Sequence, residues 1–362
     1  MTEIWSSPVW PRFDHDPRQT EPLLARAERA IGELTGLAEG LAPPDRSDLA
    51  LRRIVQEALA SFGIEGVRLP EAEIEASVVA SLRHRRVATP ARRSDAIAAL
   101  MEDAMAGQGA LTAERLFDWH RLLFHGMEIE DLGRWRRFDI EIVRSAVAGA
   151  GADNVLFRAP PPERVATEMA RLLDWLSTEE SLPVPVRAAI AHLWFETIHP
   201  FSDGNGRIGR ALVDFIFARS TPLPFPLSRQ IERDKAGYYQ ALQDGRRAGS
   251  SHVDATGFVT WFLQTLERGA GEARSEALFL VRRNRYLGRH DAALGPRGRK
   301  VLEALFAQGP ERVAEGLSAR SYARIARVSG ATATRDLTAL ARAGALRKSA
   351  AGGRSTRYEI VI

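Results

Sequence analysis

Cysteine is absent from this sequence of 362 residues, which excludes disulfide bonds, thiolate metal sites and a cysteine nucleophile. Histidine is scarce, with eight residues in all. His120 and His125 are five positions apart, so they do not share a helix face, and no His-Glu-x-x-His pattern occurs. We therefore expect packed or surface histidines at these positions rather than a zinc site.

Long apolar runs are also missing from the sequence. No stretch approaches the roughly 20 residues that a membrane-spanning helix requires. The first residues do not resemble a signal peptide, because Ile4 and Trp5 are followed at once by serine, proline and charged residues. We expect no membrane partner and take the cytoplasm as the default location. With 45% hydrophobic residues, the chain can bury the cores of two or three domains.

The positive charge is concentrated towards the end of the sequence. The formal net charge is +4, but the residues from Gly271 onward contain 18 Lys and Arg against 8 Asp and Glu, a net of +10. The preceding part therefore carries a net charge of −6. A basic C-terminal part predicts an anionic partner there, although charge alone does not choose among nucleic acid, an acidic protein and a membrane surface.

Apolar residues at helical spacing predict a mainly α-helical fold in four parts. Residues 1–95 are predicted to form an N-terminal helical region, and residues 96–270 a helical core with one β interruption. Residues 271–298 are predicted to be a basic helix followed by a linker over Gly288 to Gly298. Residues 299–362 are predicted to form a separate module.

The β interruption consists of two short extended runs. Residues 139–143 alternate charged with β-branched side chains, and Val155, Leu156 and Phe157 form the second run. A loop rich in Ala and Gly lies between them. Because two short strands are marginal on their own, we interpret the pair as a flap over a cleft, with a plain surface hairpin as the alternative.

The most informative stretch is His-Pro-Phe-Ser-Asp-Gly-Asn-Gly-Arg-Ile-Gly-Arg, from His199 to Arg210. Its three glycines can take positive φ and leave backbone N–H groups free to face an anion. The helix expected after it would direct its N-terminal amides and dipole at the same place. Arg207 and Arg210 are three residues apart on one helix face, and guanidinium groups suit neighbouring phosphates. The stretch therefore predicts a phosphate site.

Two well-known phosphate-binding loops do not explain this stretch. Gly204-x-Gly206-x-x-Gly209 satisfies the dinucleotide-binding pattern, but a helix ending at His199 precedes it where that motif requires a strand. A P-loop is excluded because no Gly-Lys-Ser/Thr follows at the required spacing. Pro200 should end the preceding helix and favour extended geometry at His199. His199 is the only base of the stretch suited to neutral pH, and Asp203 is a hard oxygen ligand for Mg²⁺.

Positions 199–210 match His-Pro-Phe-x-Asp-Gly-Asn-Gly-Arg-x-x-Arg without departure, so the chain resembles the Fic-domain proteins. The resemblance implies a protein adenylyltransferase that moves AMP from ATP to a Ser, Thr or Tyr hydroxyl of a target protein or of itself. His199 would remove the proton from that hydroxyl, and Asp203 would hold Mg²⁺ against the α- and β-phosphates. The phosphates would be bound by Gly204, Asn205, Gly206, Arg207 (β-phosphate), Ile208, Gly209 and Arg210 (γ-phosphate).

The resemblance extends to residues outside the motif. Ser61 and Glu65, four apart at a helix end that Gly66 can cap, resemble the family's inhibitory helix, in which Glu65 would pair with Arg210 and displace the γ-phosphate. Tyr238 and Tyr239 lie in the segment expected near the adenine, with packing as the alternative for at least one of them. The flap residues implied to position the target are Asn154, Val155, Leu156 and Phe157.

The last part of the sequence resembles a winged helix-turn-helix, with a polar third helix and a hairpin around Gly352 and Gly353. If the module binds DNA, the residues facing phosphates would be Arg335, Arg342, Arg347, Lys348 and Arg354. Such modules also serve dimerisation or target docking, so a homodimer stays open. Two alternatives to AMP transfer remain: a DNA-binding regulator with a nucleotide-sensing core, and removal of AMP from a target with Glu65 orienting a water.

Overall fold

The structure, a computed structural model, describes residues 4–84, 90–143, 155–248, 251–349 and 356–362. The chain divides into two compact units, Met1–Ala273 and Arg274–Ile362. Both units are mainly helical, as the apolar spacing predicted. Within the described ranges, no helix combines the length and the apolar character needed to cross a membrane.

The first unit begins with a short strand and three helices. A single 3₁₀ turn over Ile4–Ser6 precedes strand β1, Phe13–Asp14, and helices α1, Pro17–Glu39, α2, Pro43–Ile64, and α3, Glu71–His84. Helix α1 starts where the side chain of Asp16 accepts a hydrogen bond from the amide of Arg18, the usual means of satisfying a free N-terminal donor. The C-terminal end of α2 enters the candidate site described below.

A bundle of helices completes the first unit. Its elements are α4, Arg93–Ala106, α5, Ala113–Leu123, strands β2, Glu141–Val143, and β3, Val155–Arg158, then α6, Pro162–Thr178, α7, Val184–Ile198, α8, Asn205–Ala218, α9, Leu227–Arg233, and α10, Lys235–Asp244. Helix α7 is buried on nearly every side, which its run of alanine, isoleucine, leucine and aromatic residues explains, because a helix apolar all round belongs in a core. It packs against α8.

Two small sheets are present among the described residues of the first unit. Strands β2 and β3 pair antiparallel, with Ile142 opposite Phe157, and form the predicted flap. The segment between them, including Asn154, lies outside the described residues. Strand β5, Val253–Asp254, pairs in parallel with β1 and antiparallel with β4, Arg247–Ala248. The sheet β1-β5-β4 thus joins the start of the chain to the residues just before helix α11, Thr256–Arg289, which runs past the division between the units.

The second unit has its own apolar core. Its elements after α11 are α12, Asp291–Phe306, α13, Pro310–Ala314, α14, Ala319–Ala326, α15, Gly330–Arg342, and the antiparallel strands β6, Arg347–Lys348, and β7, Tyr358–Glu359. Residues of α12, α14, α15 and β7 contribute to one buried cluster, together with Leu346 just before β6. Arg354 and the glycines at 352 and 353 lie outside the described residues.

The linker predicted over Gly288 to Gly298 is wrong. Helix α11 continues to Arg289, and α12 begins at Asp291. Gly295, with φ of 57°, marks a break inside α12 instead of a flexible connection. The segment is helical because its apolar residues are buried: Leu294 belongs to the core of the unit, and so does Tyr286, whose hydroxyl donates to the carbonyl of Ala345.

Candidate functional site

The site begins where α7 ends at His199. The amide of His199 still donates to the carbonyl of Phe195, at 2.9 Å, but its backbone lies in the left-handed region with φ of 51° and ψ of 61°. Pro200 ends the helix as predicted, whereas the extended geometry predicted for His199 is wrong. Pro200 disfavours the right-handed helical region at the preceding residue, His199, but not the left-handed region. In the left-handed conformation His199 keeps the last hydrogen bond of the helix, and the chain then changes direction.

A tight loop connects His199 to α8. Gly204 has φ of +81°, and a Cβ at this position would approach the side chain of Leu123 to 2.5 Å, so both conformation and space require glycine. Asn205 is buried and folds back on the loop: its Oδ1 accepts from the amide of Phe201 at 2.8 Å, and its Nδ2 donates to the carbonyl of Phe201 at 2.9 Å. In this arrangement the side chain of Asn205 shapes the loop.

His120 supports the loop from α5. It is buried and stacks on Phe201 with ring centroids 4.4 Å apart. Its Nδ1 accepts the amide of Gly133 at 2.9 Å, which leaves the proton on Nε2, 3.2 Å from the carbonyl of Asp203. Burial lowers the pKa of His120 to about 4. The histidine is therefore neutral and packed, as expected from the sequence.

The start of α8 presents unused donors to a cavity. The first hydrogen bond of the helix runs from the amide of Ile208 to the carbonyl of Gly204, at 3.0 Å, so the amides of residues 205–207 precede the helical ladder. A cavity of about 350 Å³ adjoins them. Its lining combines the loop, the flap and the end of α2: Glu65, Asp139, Ile140, Glu141, His199, Ser202, Asp203, Gly204, Asn205 and Gly206. Free amides at a helix N-terminus favour an anion in this cavity.

The two arginines of the motif have different partners. Arg207 lies between the rings of Phe62 and Phe124, with its guanidinium carbon 5.2 Å and 5.0 Å from the two ring centroids. It also donates to Asp203 at 3.2 Å. Arg210 is buried, and its guanidinium donates to the hydroxyl of Ser61 at 3.0 Å and to the main-chain carbonyl of Ser61 at 2.7 Å.

Glu65 completes the set of contacts around Arg210. Its Oε1 accepts from Arg210 at 2.9 Å, which confirms the predicted pairing of these two residues. The same oxygen lies over the start of α8, because a Cβ on Gly206 would come within 2.4 Å of it. The carboxylate of Glu65 therefore lies beside both Arg210 and the start of α8.

The end of α2 is fixed at several points. The amide of Gly66 donates to the carbonyl of Gly63 at 2.9 Å, and the amide of Val67 donates to that of Phe62 at 3.0 Å, the pair of bonds that defines a Schellman cap. Gly66 takes φ of +76°, as the cap requires. The ammonium group of Lys235 donates to the carbonyl of Ile64. These contacts hold Ser61 and Glu65 against α8.

Asp203 is the residue of the loop best suited to a metal ion. Its side chain is 63% exposed beside the cavity, and its Oδ1 accepts from the amide of Gly204 at 2.5 Å. Among the described residues, no group of three acidic or histidine side chains forms a metal site. An exposed carboxylate is a type of ligand that suits Mg²⁺.

Arg136 is a site residue that sequence reasoning missed. It is fully buried, and its guanidinium donates to main-chain carbonyls on both sides of the cleft: those of Phe138 (2.7 Å), Pro160 (2.5 Å), Ile198 (3.3 Å) and His199 (2.8 Å). It thereby ties the base of the flap to the end of α7. Gly133-Arg134-Trp135-Arg136 precedes the flap in sequence, but nothing local shows that the acceptors would be distant carbonyls.

Glu196 and His192, one and two turns before His199 on α7, were also missed. Glu196 is 5% exposed, and its Oε2 lies 3.7 Å from Nδ1 of His199. Burial raises the pKa of Glu196, but His199, His192 and Arg246 together lower it to about 2. The pKa of His192 is lowered by burial, so this histidine is neutral. Polar residues at helical spacing in an apolar helix were the only signal available.

The predicted adenine-site and flap residues are placed as follows. Tyr238 is buried with its hydroxyl 2.8 Å from Nε2 of His192, whereas Tyr239 is 41% exposed. Phe157 is buried, and the guanidinium carbon of Arg246 lies 4.3 Å from its ring centroid. Val155 and Phe157 pair with the first flap strand, and residues of the flap's first segment line the cavity.

The candidate DNA contacts belong to the second unit. Arg335 and Arg342 are exposed on α15, and they line a shallow depression with Ala331, Thr334, Thr338 and Ala339. Arg347 forms an ion pair with Glu359 at 2.7 Å, while Lys348 is exposed.

Comparison with known protein families identifies two segments. A model of the Fic/DOC family matches residues 110–217, and a model described as a domain of unknown function, DUF4172, matches residues 4–83. The first match contains His199, the loop and most of α8. The second contains α1, α2 and thus Ser61 and Glu65.

Curated relatives match parts of the chain. Protein adenylyltransferase fic-1 of Caenorhabditis elegans is 30% identical over 136 residues, which are 36% of this chain and 23% of that protein. A probable protein adenylyltransferase of Aquifex aeolicus is 36% identical over 97 residues, 26% of this chain and 29% of that protein. The chain thus spans about a quarter of the length of the curated relatives it matches.

A solved structure extends the similarity to almost the whole chain. A Fic family protein from Desulfovibrio desulfuricans superposes with a TM-score of 0.56 at 26% sequence identity, covering 95% of this chain and 96% of that one. A Fic domain containing signaling protein from Bacteroides thetaiotaomicron shares the fold with a TM-score of 0.52 at 21% identity, covering 70% of this chain and 97% of that one.

Proposed function

Residues 110–217 are a domain of the Fic/DOC family, and on this basis we propose that the chain is a protein adenylyltransferase. It would transfer AMP from ATP to a Ser, Thr or Tyr hydroxyl of a target protein or of itself. The observation that carries the proposal is the cavity in which His199, Asp203 and the free amides of α8 meet under the flap. We propose the cytoplasm as the place of this reaction.

The chain's own residues supply binding, orientation and proton transfer. The amides at the start of α8 bind the phosphate chain, and Arg207 and Arg210 neutralise its charge. His199 accepts the proton of the attacking hydroxyl. Mg²⁺, held by Asp203 and the phosphates, would supply further charge neutralisation. The flap, fixed at its base by Arg136, holds the target segment over the cavity.

Glu65 acts as a brake on this reaction. With its carboxylate on Arg210 and over Gly206, it competes with the γ-phosphate for the same cation and amides. ATP bound beside it would lack its γ-phosphate ligand, so its α-phosphate would be out of line with the incoming hydroxyl. The basal rate should therefore be low.

We predict that Glu65→Gly raises incorporation of label from α-phosphate-labelled ATP by about tenfold or more, because losing a charged, partly buried pair frees Arg210. His199→Ala should abolish incorporation in either background. Glu71→Gly removes a carboxylate from the next helix and should leave the rate unchanged. Mass spectrometry of the modified residue identifies the acceptor. Equal rates in wild type and Glu65→Gly would contradict the brake, and label retained in His199→Ala would contradict the assigned base.

A second candidate function, DNA binding by the second unit, is favoured by the charge on α15. Its one acidic residue, Asp336, is turned away from the outer face, pairing with Arg297 at 2.9 Å and accepting from the hydroxyl of Tyr322 at 3.2 Å. The outer face thus shows Arg335 and Arg342 among small side chains, which allow close approach to a nucleic-acid groove. Salt-dependent binding of duplex DNA by the full chain tests this function.

A further inference from the structure

A buried carboxylate on α7 has no role in the reaction described so far. We infer that Glu196 is a positioning residue for His199: it orients the imidazole and stabilises the imidazolium that forms when His199 accepts a proton. This inference rests on the proposed AMP transfer. Glu196 and the brake residue Glu65 lie at different places: Glu196 is buried on α7 next to His199, whereas Glu65 contacts Arg210 of α8.

The geometry pairs two groups that otherwise lack partners. Glu196 and His199 are three residues apart at the end of α7, with Oε2 3.7 Å from Nδ1. Both Nδ1 of His199 and Oε1 of Glu196 are buried without a hydrogen-bond partner. The distance is longer than a hydrogen bond, as is common for catalytic pairs without substrate. A closer approach of Oε2 would give Nδ1 of His199 a hydrogen-bond acceptor.

Glu196 carries its charge at neutral pH although it is buried. Burial alone would favour the neutral acid, but the pKa falls to about 2 because His199, His192 and Arg246 surround it. An ionised carboxylate with an unpaired oxygen is costly inside a protein, so its presence calls for a compensating role. Orientation of the base is such a role.

The other charged and titratable groups around Glu196 have partners of their own, apart from one nitrogen of His192. Nε2 of His192 on α7 lies 2.8 Å from the hydroxyl of Tyr238 of α10, whereas its Nδ1 is buried without a hydrogen-bond partner. Arg246, just after α10, donates to the main-chain carbonyl of Glu196 at 2.9 Å and to the hydroxyl of Thr197 at 3.2 Å. Arg210 on α8 pairs with Glu65. Of the groups facing this carboxylate, His199 is the one whose charge changes during the proposed reaction.

This arrangement specifies which nitrogen of His199 acts as the base. A proton on Nδ1, facing Glu196, leaves Nε2 unprotonated as the nitrogen available to the cavity. The target hydroxyl gives its proton to Nε2 while its oxygen bonds to the α-phosphorus. The bond from that phosphorus to the bridging oxygen of the β-phosphate breaks, and pyrophosphate leaves with the electron pair. Glu196 then faces a positive imidazolium until His199 releases the proton to water.

The kinetic test uses the Glu65→Gly background, where transfer is measurable. Glu196→Gln keeps the shape and removes the charge. We expect kcat to fall roughly 10- to 100-fold, as for other partners that orient a functional histidine, with the KM for ATP changed by less than about twofold. The acidic limb of the kcat–pH profile should move to lower pH by about one unit, since His199 loses the anion that stabilises its protonated form. Glu196→Asp should recover part of the rate.

A matched control separates this role from a structural one. Glu168 on α6 is equally buried and binds the indole of Trp10 at 2.9 Å, away from the cavity. Glu168→Gln should lower the melting temperature without moving the pH profile. Glu196→Gln should also melt lower than its parent, because the surroundings that lower the pKa of Glu196 stabilise its charge, but unlike Glu168→Gln it should move the pH profile. A kcat within twofold of the parent, or an unmoved acidic limb, overturns the inference.

A readout without turnover keeps this inference distinct from the proposed function. Nuclear magnetic resonance of ¹⁵N-histidine-labelled protein, with His199→Ala to assign the signal, gives the tautomer and pKa of His199. We expect the proton on Nδ1 in the wild type and a lower pKa of His199 in Glu196→Gln. An unchanged pKa overturns the positioning role even if AMP transfer is observed, and the expected change supports it even if no transfer is found.

Discussion

Asp214 shows how the charges along α2 and α8 are balanced. Its carboxylate is buried and forms an ion pair with Arg53 of α2 at 2.7 Å. Glu57, also of α2 and buried, lies close enough to interact electrostatically with Asp214, and it accepts from the amide of Ser228 at 2.9 Å. Burial, and then the charge of Glu57, raise the pKa of Asp214 to about 7. The buried carboxylate of Asp214 therefore faces both a guanidinium and a second carboxylate of α2.

This raised pKa predicts a pH dependence of stability. The folded state holds a proton on Asp214 up to a pH of about 7, whereas the unfolded chain releases it near the ordinary aspartate pKa of 3.8. The contribution of Asp214 to the free energy of folding is thus greatest at a pH below its pKa in the unfolded chain. That contribution is lost as the pH rises through its pKa in the folded protein. The wild type should lose on the order of 2–4 kcal/mol relative to Asp214→Asn between pH 4 and 8. Urea unfolding of both proteins across that range measures the difference.

A surface carboxylate provides the comparison for Asp214. Asp48 forms an exposed pair with Arg52 on the same helix, so Asp48→Asn should show a small and nearly pH-independent difference from wild type. A wild-type protein that gains stability relative to Asp214→Asn as pH rises would contradict the raised pKa.

At the scale of elements, the cap of α2 determines where the brake is held. Gly66 takes a left-handed conformation, and a Cβ there would have open space around it, so a side chain meets conformational strain and no steric clash. Gly66→Ala should cost about 1 kcal/mol at the end of α2. If this strain weakens the ion pair between Glu65 and Arg210, the rate of AMP transfer should rise about three- to fivefold. This increase is smaller than the one expected for Glu65→Gly.

Asparagine at the same position is the matched variant, because Asn tolerates the left-handed region better than Ala. Gly66→Asn should therefore transfer AMP at a rate close to that of wild type. In the Glu65→Gly background, Gly66→Ala should have no further effect. A rise in that background would mean that the cap acts on something other than the brake.

The elements that the sequence predicts well are those with local causes. The helical core, the end of α7 at Pro200 and the cap at Gly66 follow from apolar spacing, proline and glycine. The predicted linker failed because Gly288, Gly295 and Pro296 signal a break in sequence, while the burial of Leu294 depends on partners elsewhere in the second unit. Local signals identify where a helix is interrupted, but they do not show whether the interruption is packed.

For the molecule as a whole, the loop from His199 to Arg210 has local sequence signals, whereas the residues that support it do not. Positions 199–210 are consecutive, so the sequence predicts a phosphate site there, and this site stays a prediction. Arg136 and Glu196 act through carbonyls and an imidazole that only the folded chain brings near them. The contact of Glu65 with Arg210 joins residues 145 positions apart, and spacing alone gave it little weight before the family resemblance was considered.

The excess of positive charge near the C-terminus leads to the last prediction, on duplex DNA and the full chain. Each phosphate that a cation neutralises contributes about 0.9 to the slope of log K against log salt. Among the described residues, no ion pair engages Arg335 or Arg342, so both are available for phosphates. Arg299, in contrast, pairs with both Asp291 and Glu303.

The double variant Arg335→Ala/Arg342→Ala should weaken binding at least tenfold and reduce the slope by about two, whereas Arg299→Ala should change the slope by well under one. Fluorescence anisotropy between 50 and 300 mM salt measures both quantities. Binding that does not depend on salt, or that survives in the double variant, contradicts a DNA role for α15; a dimer that dissociates in the double variant without DNA would assign this face to self-association.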